Sequence, residues 1–125
     1  MKLHQHHSPG DFVINGYGDG FVQINGGRRE NSVLLTADGA ADADLPAAAA
    51  SLTGAHLRRI ADTVRAEVFL LGAGKTAPPY RAEWIAPFAA AGISLEIMSL
   101  PAACRTYNIL QGDGRTVAAI LIIPG

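Results

Sequence analysis

The chain has 125 residues, of which 49% are hydrophobic and 17% are charged, and its formal net charge is −1. This length and composition predict one domain around one core, and they exclude a disordered chain and a strongly basic, polyanion-binding surface. Basic residues form only the pairs Arg28-Arg29 and Arg58-Arg59, and aromatic residues do not alternate with them. We therefore expect no nucleic-acid partner.

The ends and the cysteine content indicate the compartment. Cys104 is the only cysteine, so no internal disulfide forms, and the first residues lack the apolar core of a signal peptide. The longest apolar run, residues 117–123, is too short to cross a bilayer. We expect a cytoplasmic protein without a transmembrane segment, in which residues 1–10 form a flexible tail and residues 11–125 form a single α/β domain. The tail sequence His4-Gln5-His6-His7 indicates adventitious metal affinity, because no carboxylate or thiol accompanies it, and no metal or cofactor is expected.

The N-terminal part contains short β-prone segments separated by glycines. Residues 12–14 and 20–24 are predicted strands. Asn25-Gly26 supplies two residues that tolerate positive φ, as a type I′ hairpin turn requires. A strand is predicted to resume over residues 28–36, and residues 37–51, which are rich in Ala, Asp, Gly and Pro without periodicity, are interpreted as a connecting loop.

Helices and strands alternate from residue 53 onward. Thr53 is a predicted helix cap, because it precedes one helical stripe of apolar residues formed by Leu57, Ile60, Ala61 and Val64. The later elements are predicted as a buried strand at 67–71, a helix from 79 or 80 to 91 containing Pro87, a strand at 93–98, a helix from Pro101 to about 111, and a strand at 116–123 whose direction is open. This order predicts a layered α/β domain with a largely parallel central sheet and the N-terminal hairpin at or beyond its edge.

The segment Leu71-Gly72-Ala73-Gly74-Lys75-Thr76 ends like a phosphate-binding loop. A P-loop requires a glycine where this chain has Phe69, and Pro78-Pro79 stand where the helix that cradles the phosphate should run. The sequence therefore argues against nucleotide hydrolysis. Two interpretations stay open for Gly72, Gly74 and Lys75: a simple turn with a solvated lysine, or a weak anion or partner site at the carboxyl end of a central strand.

The segment Ala103-Cys104-Arg105-Thr106-Tyr107-Asn108 lies near a predicted helix start. A thiol near a helix N-terminus and beside a cation loses its proton more readily than a free thiol. Cys104 is therefore a candidate thiolate nucleophile with Arg105 as an anion clamp, although no histidine stands at a spacing that identifies it as the base. The alternative is a small apolar residue packed under the helix. Arg105 and Asn108, three residues apart, can share one helix face.

Six stretches, taken in order, resemble the motifs of one known family. They are Gly16-Tyr17-Gly18, Phe21-Val22-Gln23-Ile24-Asn25-Gly26, Asn31-Ser32-Val33-Leu34-Leu35, Phe69-Leu70-Leu71-Gly72-Ala73-Gly74, Ala91-Gly92-Ile93 and Ala103-Cys104-Arg105-Thr106-Tyr107-Asn108. The family is a small domain of unknown function shared by many bacterial and archaeal proteins, the adipogenesis-associated domain protein and mitochondrial complex I assembly factor three. The likeness covers roughly residues 11–124. It implies a three-layer α/β fold (β+α/β/α) with a mixed central sheet of about five strands, and it transfers no catalytic residue.

Two classes of function follow. The first is a bacterial non-enzymatic binding or assembly-factor-like protein, and the resemblance implies a protein partner in respiratory complex I or another membrane complex, with peripheral membrane association as an option. The second is a small cytoplasmic enzyme or anion binder that uses the Cys104 thiolate and Arg105. The missing base favours the first class. The candidate binding residues are Gly72, Gly74, Lys75, Cys104, Arg105 and Asn108, and Lys75 and Arg105 are expected on one shallow, mildly positive surface.

Overall fold

A computed structural model describes residues 12–124. In this part of the chain the strands are β1 (Ile14–Gly18), β2 (Phe21–Ile24), β3 (Gly27–Arg29), β4 (Val33–Thr36), β5 (Gly39–Ala41), β6 (Val68–Ala73), β7 (Leu95–Met98) and β8 (Val117–Ile122). The helices are α1 (Gly54–Thr63), α2 (Ala82–Ala90) and α3 (Leu100–Gly112), and a 3-10 turn occupies Ala49–Ser51. The tail predicted at residues 1–10, with its histidines, lies outside the described residues.

The N-terminal layer is a three-stranded antiparallel sheet in the order β1-β2-β3. The predicted hairpin turn is confirmed: Asn25 and Gly26 have φ values of 50° and 83°, and Ile24 pairs with Gly27 across them. Both central residues of a type I′ turn need positive φ, which asparagine and glycine adopt more readily than other residues. The turn therefore fixes the register of this small sheet.

The central sheet has five strands in the order β5-β4-β8-β6-β7. β6 is parallel to both β7 and β8, whereas β4 is antiparallel to both β8 and β5. The predicted mixed sheet is confirmed, and its parallel part consists of β7, β6 and β8. The final strand, whose direction the sequence left open, runs parallel to β6 because α3 provides the crossover.

Two buried clusters cover the two faces of the central sheet. Alternate residues of β8 belong to different clusters: Ala119 and Leu121 face one side, and Ala118, Ile120 and Ile122 face the other. The first cluster lies under α3 and the three-stranded sheet, and the second lies under α1 and α2. The predicted three-layer (β+α/β/α) architecture is thereby confirmed, and the continuous apolar sequence of β8 reflects a strand buried on both faces.

The prediction of one continuous strand over residues 28–36 is wrong, because the structure has two separate strands there. β3 ends at Arg29 in the N-terminal sheet, and β4 begins at Val33 in the central sheet. Ser32, between them, is buried; its hydroxyl donates to the Pro46 carbonyl at 2.7 Å and accepts the Ile123 N–H at 2.9 Å. These bonds fix the point at which the chain passes from one sheet to the other.

The connecting loop predicted over residues 37–51 contains an additional strand. β5 pairs with β4 through Leu34 and Ala41, Leu35 and Ala40, and Thr36 and Gly39. Gly-Ala-Ala has low β propensity, so the pairing with β4 rather than local preference forms this strand. The helix predicted to begin at residue 79 or 80 begins instead at Ala82, after an extended Arg81.

Pro87 lies inside α2, and α1 approaches α2 closely one turn before it. Proline has no N–H to donate to the carbonyl four residues earlier, which belongs to Glu83. Gly54, at the start of α1, lies so near that a Cβ atom built on it would be 2.9 Å from that carbonyl oxygen. The two helices therefore pack together at a glycine.

Candidate functional site

The loops that follow the three parallel strands meet at one edge of the central sheet. Gly74 follows β6, Ser99 and Leu100 follow β7, and Pro124 ends the segment after β8. The Leu100 N–H donates to the Gly74 carbonyl at 2.9 Å, which joins the first two loops. The carboxyl ends of parallel strands are where open α/β sheets most often bind ligands.

A cleft of about 390 Å³ opens at this edge, and we call it the carboxyl-edge cleft. The turn between β1 and β2 forms one wall, because Gly20 lies beside the Pro124 carbonyl. The described lining residues are Tyr17, Gly18, Asp19, Gly20, Gly74, Lys75, Leu100, Pro101 and Pro124. The lining is mainly apolar, so the cleft can bury an apolar group.

Charged side chains stand at the rim of the carboxyl-edge cleft. Lys75 Nζ lies 3.8 Å from Asp19 Oδ1, and the two side chains are 87% and 89% exposed. An ion pair so exposed contributes little stability, so each partner can exchange the other for a ligand group. Arg105 donates from Nη1 to the Tyr17 hydroxyl at 3.0 Å and is also exposed. Lys75 and Arg105 thus both adjoin the cleft, and Asp19 makes the charge at its rim mixed.

The N-terminus of α3 faces the cleft without a free backbone donor. Leu100 donates to Gly74, Pro101 has no N–H, and Ala102 donates to the Ser99 hydroxyl at 3.2 Å. Ala103 donates to the Ser99 carbonyl at 3.0 Å. Anion binding by a helix end depends on unpaired N–H groups. This helix end therefore offers no unpaired backbone N–H group to an anion in the cleft.

Cys104 lies in the core. Its side chain is 0% exposed, and burial raises the pKa of the thiol to about 12, against the opposing effect of the Arg105 charge. Gly72 is buried as well, and a Cβ atom on it would overlap the Ala103 side chain. Gly72 allows α3 to approach β6 closely, and the Cys104 thiol is in its protonated form at neutral pH.

Asn108 and Tyr107 bind the backbone of the N-terminal layer. The Asn108 side chain accepts the Ile14 N–H at 2.9 Å and donates to the Ile14 carbonyl at 2.7 Å. The Tyr107 hydroxyl donates to the Phe12 carbonyl at 2.9 Å. These bonds, with that of Arg105 to Tyr17, form what we call the α3–β1 clamp. The clamp holds the three-stranded sheet against α3 and thereby positions the wall of the cleft.

The structure divides the residues proposed from the sequence into two groups. Gly74 and Lys75 line the cleft and Arg105 adjoins it, whereas Gly72, Cys104 and Asn108 have internal contacts. The part of the cleft lining formed by the β1–β2 turn, Pro101 and Pro124 was not predicted from the sequence. The sequence Gly16-Tyr17-Gly18-Asp19-Gly20 was a signal for an exposed turn, but only the fold brings it to residues 74 and 124.

Within residues 12–124, no three His, Cys, Asp or Glu side chains come together in a group that could hold a metal ion. In the same part of the chain, no helix is long and apolar enough to span a membrane.

The fold is similar to that of a Bordetella pertussis protein described as a Mth938-like domain, with 28% identity and a TM-score of 0.79, covering all of this chain and 94% of that one. A crystal structure from Bordetella parapertussis gives a TM-score of 0.81 at 31% identity, covering 90% of this chain and 95% of that one. The family model described as "Protein of unknown function (DUF498/DUF598)" matches residues 14–122. The chain belongs to this family.

Three relatives support the membership. A Rhodobacter capsulatus protein described as uncharacterized is 34% identical over 121 residues, which are 93% of this chain and 89% of that protein. Zebrafish (Danio rerio) NADH dehydrogenase 1 alpha subcomplex assembly factor 3 is 38% identical over 58 residues, 46% of this chain but only 33% of that protein. A Francisella tularensis 13 kDa major membrane protein is 38% identical over 74 residues, 58% of each chain. The resemblance drawn from the motifs is confirmed.

Proposed function

We propose that this chain is a non-enzymatic binding protein of the assembly-factor type, which holds a segment of a partner protein in the carboxyl-edge cleft. The observation that carries the proposal is the cleft itself, where four separate parts of the chain form an apolar lining with charges at the rim. Binding sites generally combine an apolar interior with a few polar groups that orient the ligand. A site of this composition suits recognition rather than proton or group transfer.

The alternative of a small cytoplasmic enzyme or anion binder has less support. Its nucleophile would be Cys104, which is buried and has a raised pKa, and nucleophilic attack requires an accessible thiolate. Its anion clamp would be Arg105, which already donates to Tyr17. The neighbouring helix end has no free donor to add.

The kinship suggests the kind of partner. The zebrafish relative is named as an assembly factor of NADH dehydrogenase, and the Francisella relative as a membrane protein. We propose that the partner of this chain is a protein of respiratory complex I or of another membrane complex during its assembly. The chain would then act from the cytoplasm, in peripheral contact with the membrane.

Site-specific photo-crosslinking in the native cell tests this function. A photoreactive amino acid at position 19 lies at the rim of the cleft and leaves Lys75 in place. The same amino acid at Ile109 is a matched control, because Ile109 is exposed on α3 without lining the cleft. We expect a defined protein adduct from position 19 and none from position 109. Equal adducts from both positions, or none from either, would refute docking at the cleft.

A further inference from the structure

A second cleft adjoins the carboxyl-edge cleft. It has a volume of about 330 Å³ and shares Gly74 and Pro124 with the first. Its other described lining residues are Ala47, Ala48, Ala49, Ala73, Thr76, Ala77, Pro78, Pro79 and Ile122. The two clefts together form one groove with two compartments, which we call the edge groove.

The boundary between the two compartments is low. Gly74 has no side chain, and it adopts a φ of +73°, which disfavours any residue with a Cβ atom. A Cβ atom built there would also stand 3.2 Å from the Thr76 carbonyl oxygen. No side chain of Gly74 therefore stands between the two compartments, which leaves room for an extended backbone to cross there. Side chains two residues apart on an extended chain point the same way and lie about 7 Å apart.

The two ends of the edge groove differ in charge. At the first compartment Lys75 pairs with Asp19, and Arg105 donates to the hydroxyl of Tyr17, which lines the cleft. The described lining of the second compartment contains no charged side chain. One end of the groove therefore carries two cations and one carboxylate, whereas the other end is neutral and apolar.

We propose that the edge groove binds an extended peptide segment with two apolar side chains two residues apart and a carboxylate next to the side chain that enters the first compartment. The proposal rests on the proposed function and specifies the chemistry of the partner. The apolar side chains fill the compartments, and the carboxylate takes the place of Asp19 opposite Lys75. The charge difference along the groove sets the direction in which the segment lies.

Selection from a library of random short peptides displayed on phage tests the proposal. Wild-type protein is expected to enrich an apolar-x-apolar pattern with an adjacent Asp or Glu. A synthetic peptide from the selection should bind about tenfold more weakly to Lys75→Glu, and the same peptide with its acid changed to the amide should lose a similar factor. When the amide peptide is measured against Lys75→Glu, the two losses of affinity should not add, because both changes remove the same contact. Arg58→Glu, on α1 and away from the groove, is the matched control and should bind as wild type does.

The contrary outcomes are distinct. Enrichment of peptides without an acid, or of peptides that bind Lys75→Glu as well as wild type, would overturn the proposed chemistry. A photo-adduct from position 19 would still leave the proposed function standing. Binding to phosphatidylglycerol-phosphatidylcholine vesicles that is lost in Lys75→Glu, without peptide enrichment, would overturn the peptide and identify a lipid surface. Lys75 is almost fully exposed, so the variant should fold, and its melting curve verifies this.

Discussion

The two faces of the central sheet are covered in different ways. On one face, α1 and α2 are held mainly by apolar packing, in which Trp84 and Phe88 are fully buried. The Phe88 ring centroid lies 4.8 Å from that of Phe69, with the rings tilted by 48°. On the other face, polar side chains of α3 bind the backbone of β1 through the α3–β1 clamp. Apolar packing is adaptable, whereas hydrogen bonds fix position. The packing on the first face therefore mainly stabilises the domain, whereas the hydrogen bonds on the second face orient the three-stranded sheet, which forms one wall of the cleft.

The largest expected effect is on the packed face. Trp84→Ala removes a fully buried indole and its 2.9 Å hydrogen bond to the Leu52 carbonyl. We expect a loss of about 3–5 kcal/mol in the free energy of unfolding, measured by urea denaturation. Trp84→Phe, which keeps most of the packing, should lose about 1–3 kcal/mol for the unpaired carbonyl. Equal losses in both variants would show that the hydrogen bond, and not the packing, holds this face.

The next largest loss of stability is expected where α3 contacts β6. Gly72→Ala places a methyl group against Ala103, so α3 must move outward, at a cost of about 1–3 kcal/mol. The double variant Gly72→Ala with Ala103→Gly restores the space. We expect it to be more stable than the sum of the two single losses indicates, in a double-mutant cycle of urea melts. Strict additivity would contradict the close contact.

Breaking the clamp is expected to open one layer selectively. Asn108→Ala leaves the N–H and the carbonyl of Ile14 unpaired, with an expected loss of about 2 kcal/mol. Amide hydrogen exchange should accelerate in β1 and β2 more than in β6 and β8, because the three-stranded sheet detaches first. Ile109→Ala, at an exposed neighbouring position, is the control. Uniform acceleration over all strands would mean that the clamp stabilises the whole domain rather than one layer.

The buried thiol gives an effect that depends on pH and is absent at neutral pH. The pKa of Cys104 is raised from its ordinary 9.0 to about 12. The native state therefore keeps its proton where the unfolded state releases it, so stability is full below pH 9 and falls as the pH rises toward 12, by at most about 1.4 kcal/mol per pH unit. Urea melts of wild type minus Cys104→Ala isolate this slope. Rapid labelling of the native thiol by iodoacetamide at pH 8 would contradict it.

The smallest effect concerns the exposed charges. Lys75→Glu with Arg105→Glu should leave the melting temperature nearly unchanged, because both side chains are exposed and surface ion pairs contribute little. The same double variant should lose the photo-adduct formed with a crosslinker at Asp19. A large fall in the melting temperature would show that the Arg105–Tyr17 bond is an essential part of the clamp.

Much of the fold follows from local sequence signals. Asn25-Gly26 predicted the hairpin because few residues tolerate its dihedral angles, and β6 and β8 were predicted because strands buried on both faces are continuously apolar. β5 was missed since its Gly-Ala-Ala has no preference of its own and depends on β4. The break at Ser32 was missed because a buried serine is recognised only from its distant partners, Pro46 and Ile123.

The candidate site was predictable only in part. Gly74 and Lys75 were found because the end of a buried strand is a recognisable position. Asn108 was assigned to ligand binding, yet it binds the backbone of β1, 94 residues away in sequence. The same local sequence allows a polar side chain on a helix to face solvent, a ligand or a neighbouring strand, so local sequence does not decide between these roles. Tyr17 and Asp19 were missed for the same reason, since their part in the cleft depends on the packing of two layers.

The composition of the carboxyl-edge cleft has a consequence for the entropy of binding. Of its nine described lining residues, five are glycine or proline, which have no rotatable side chain to immobilise. The Gly74 backbone is already held by the Leu100 N–H, and Gly18 is paired with Phe21 in the hairpin. An occupant would therefore order little of the protein, and the remaining conformational cost would fall on its own chain. Affinity at this site would then be raised most by making the occupant rigid, and least by adding contacts to the walls.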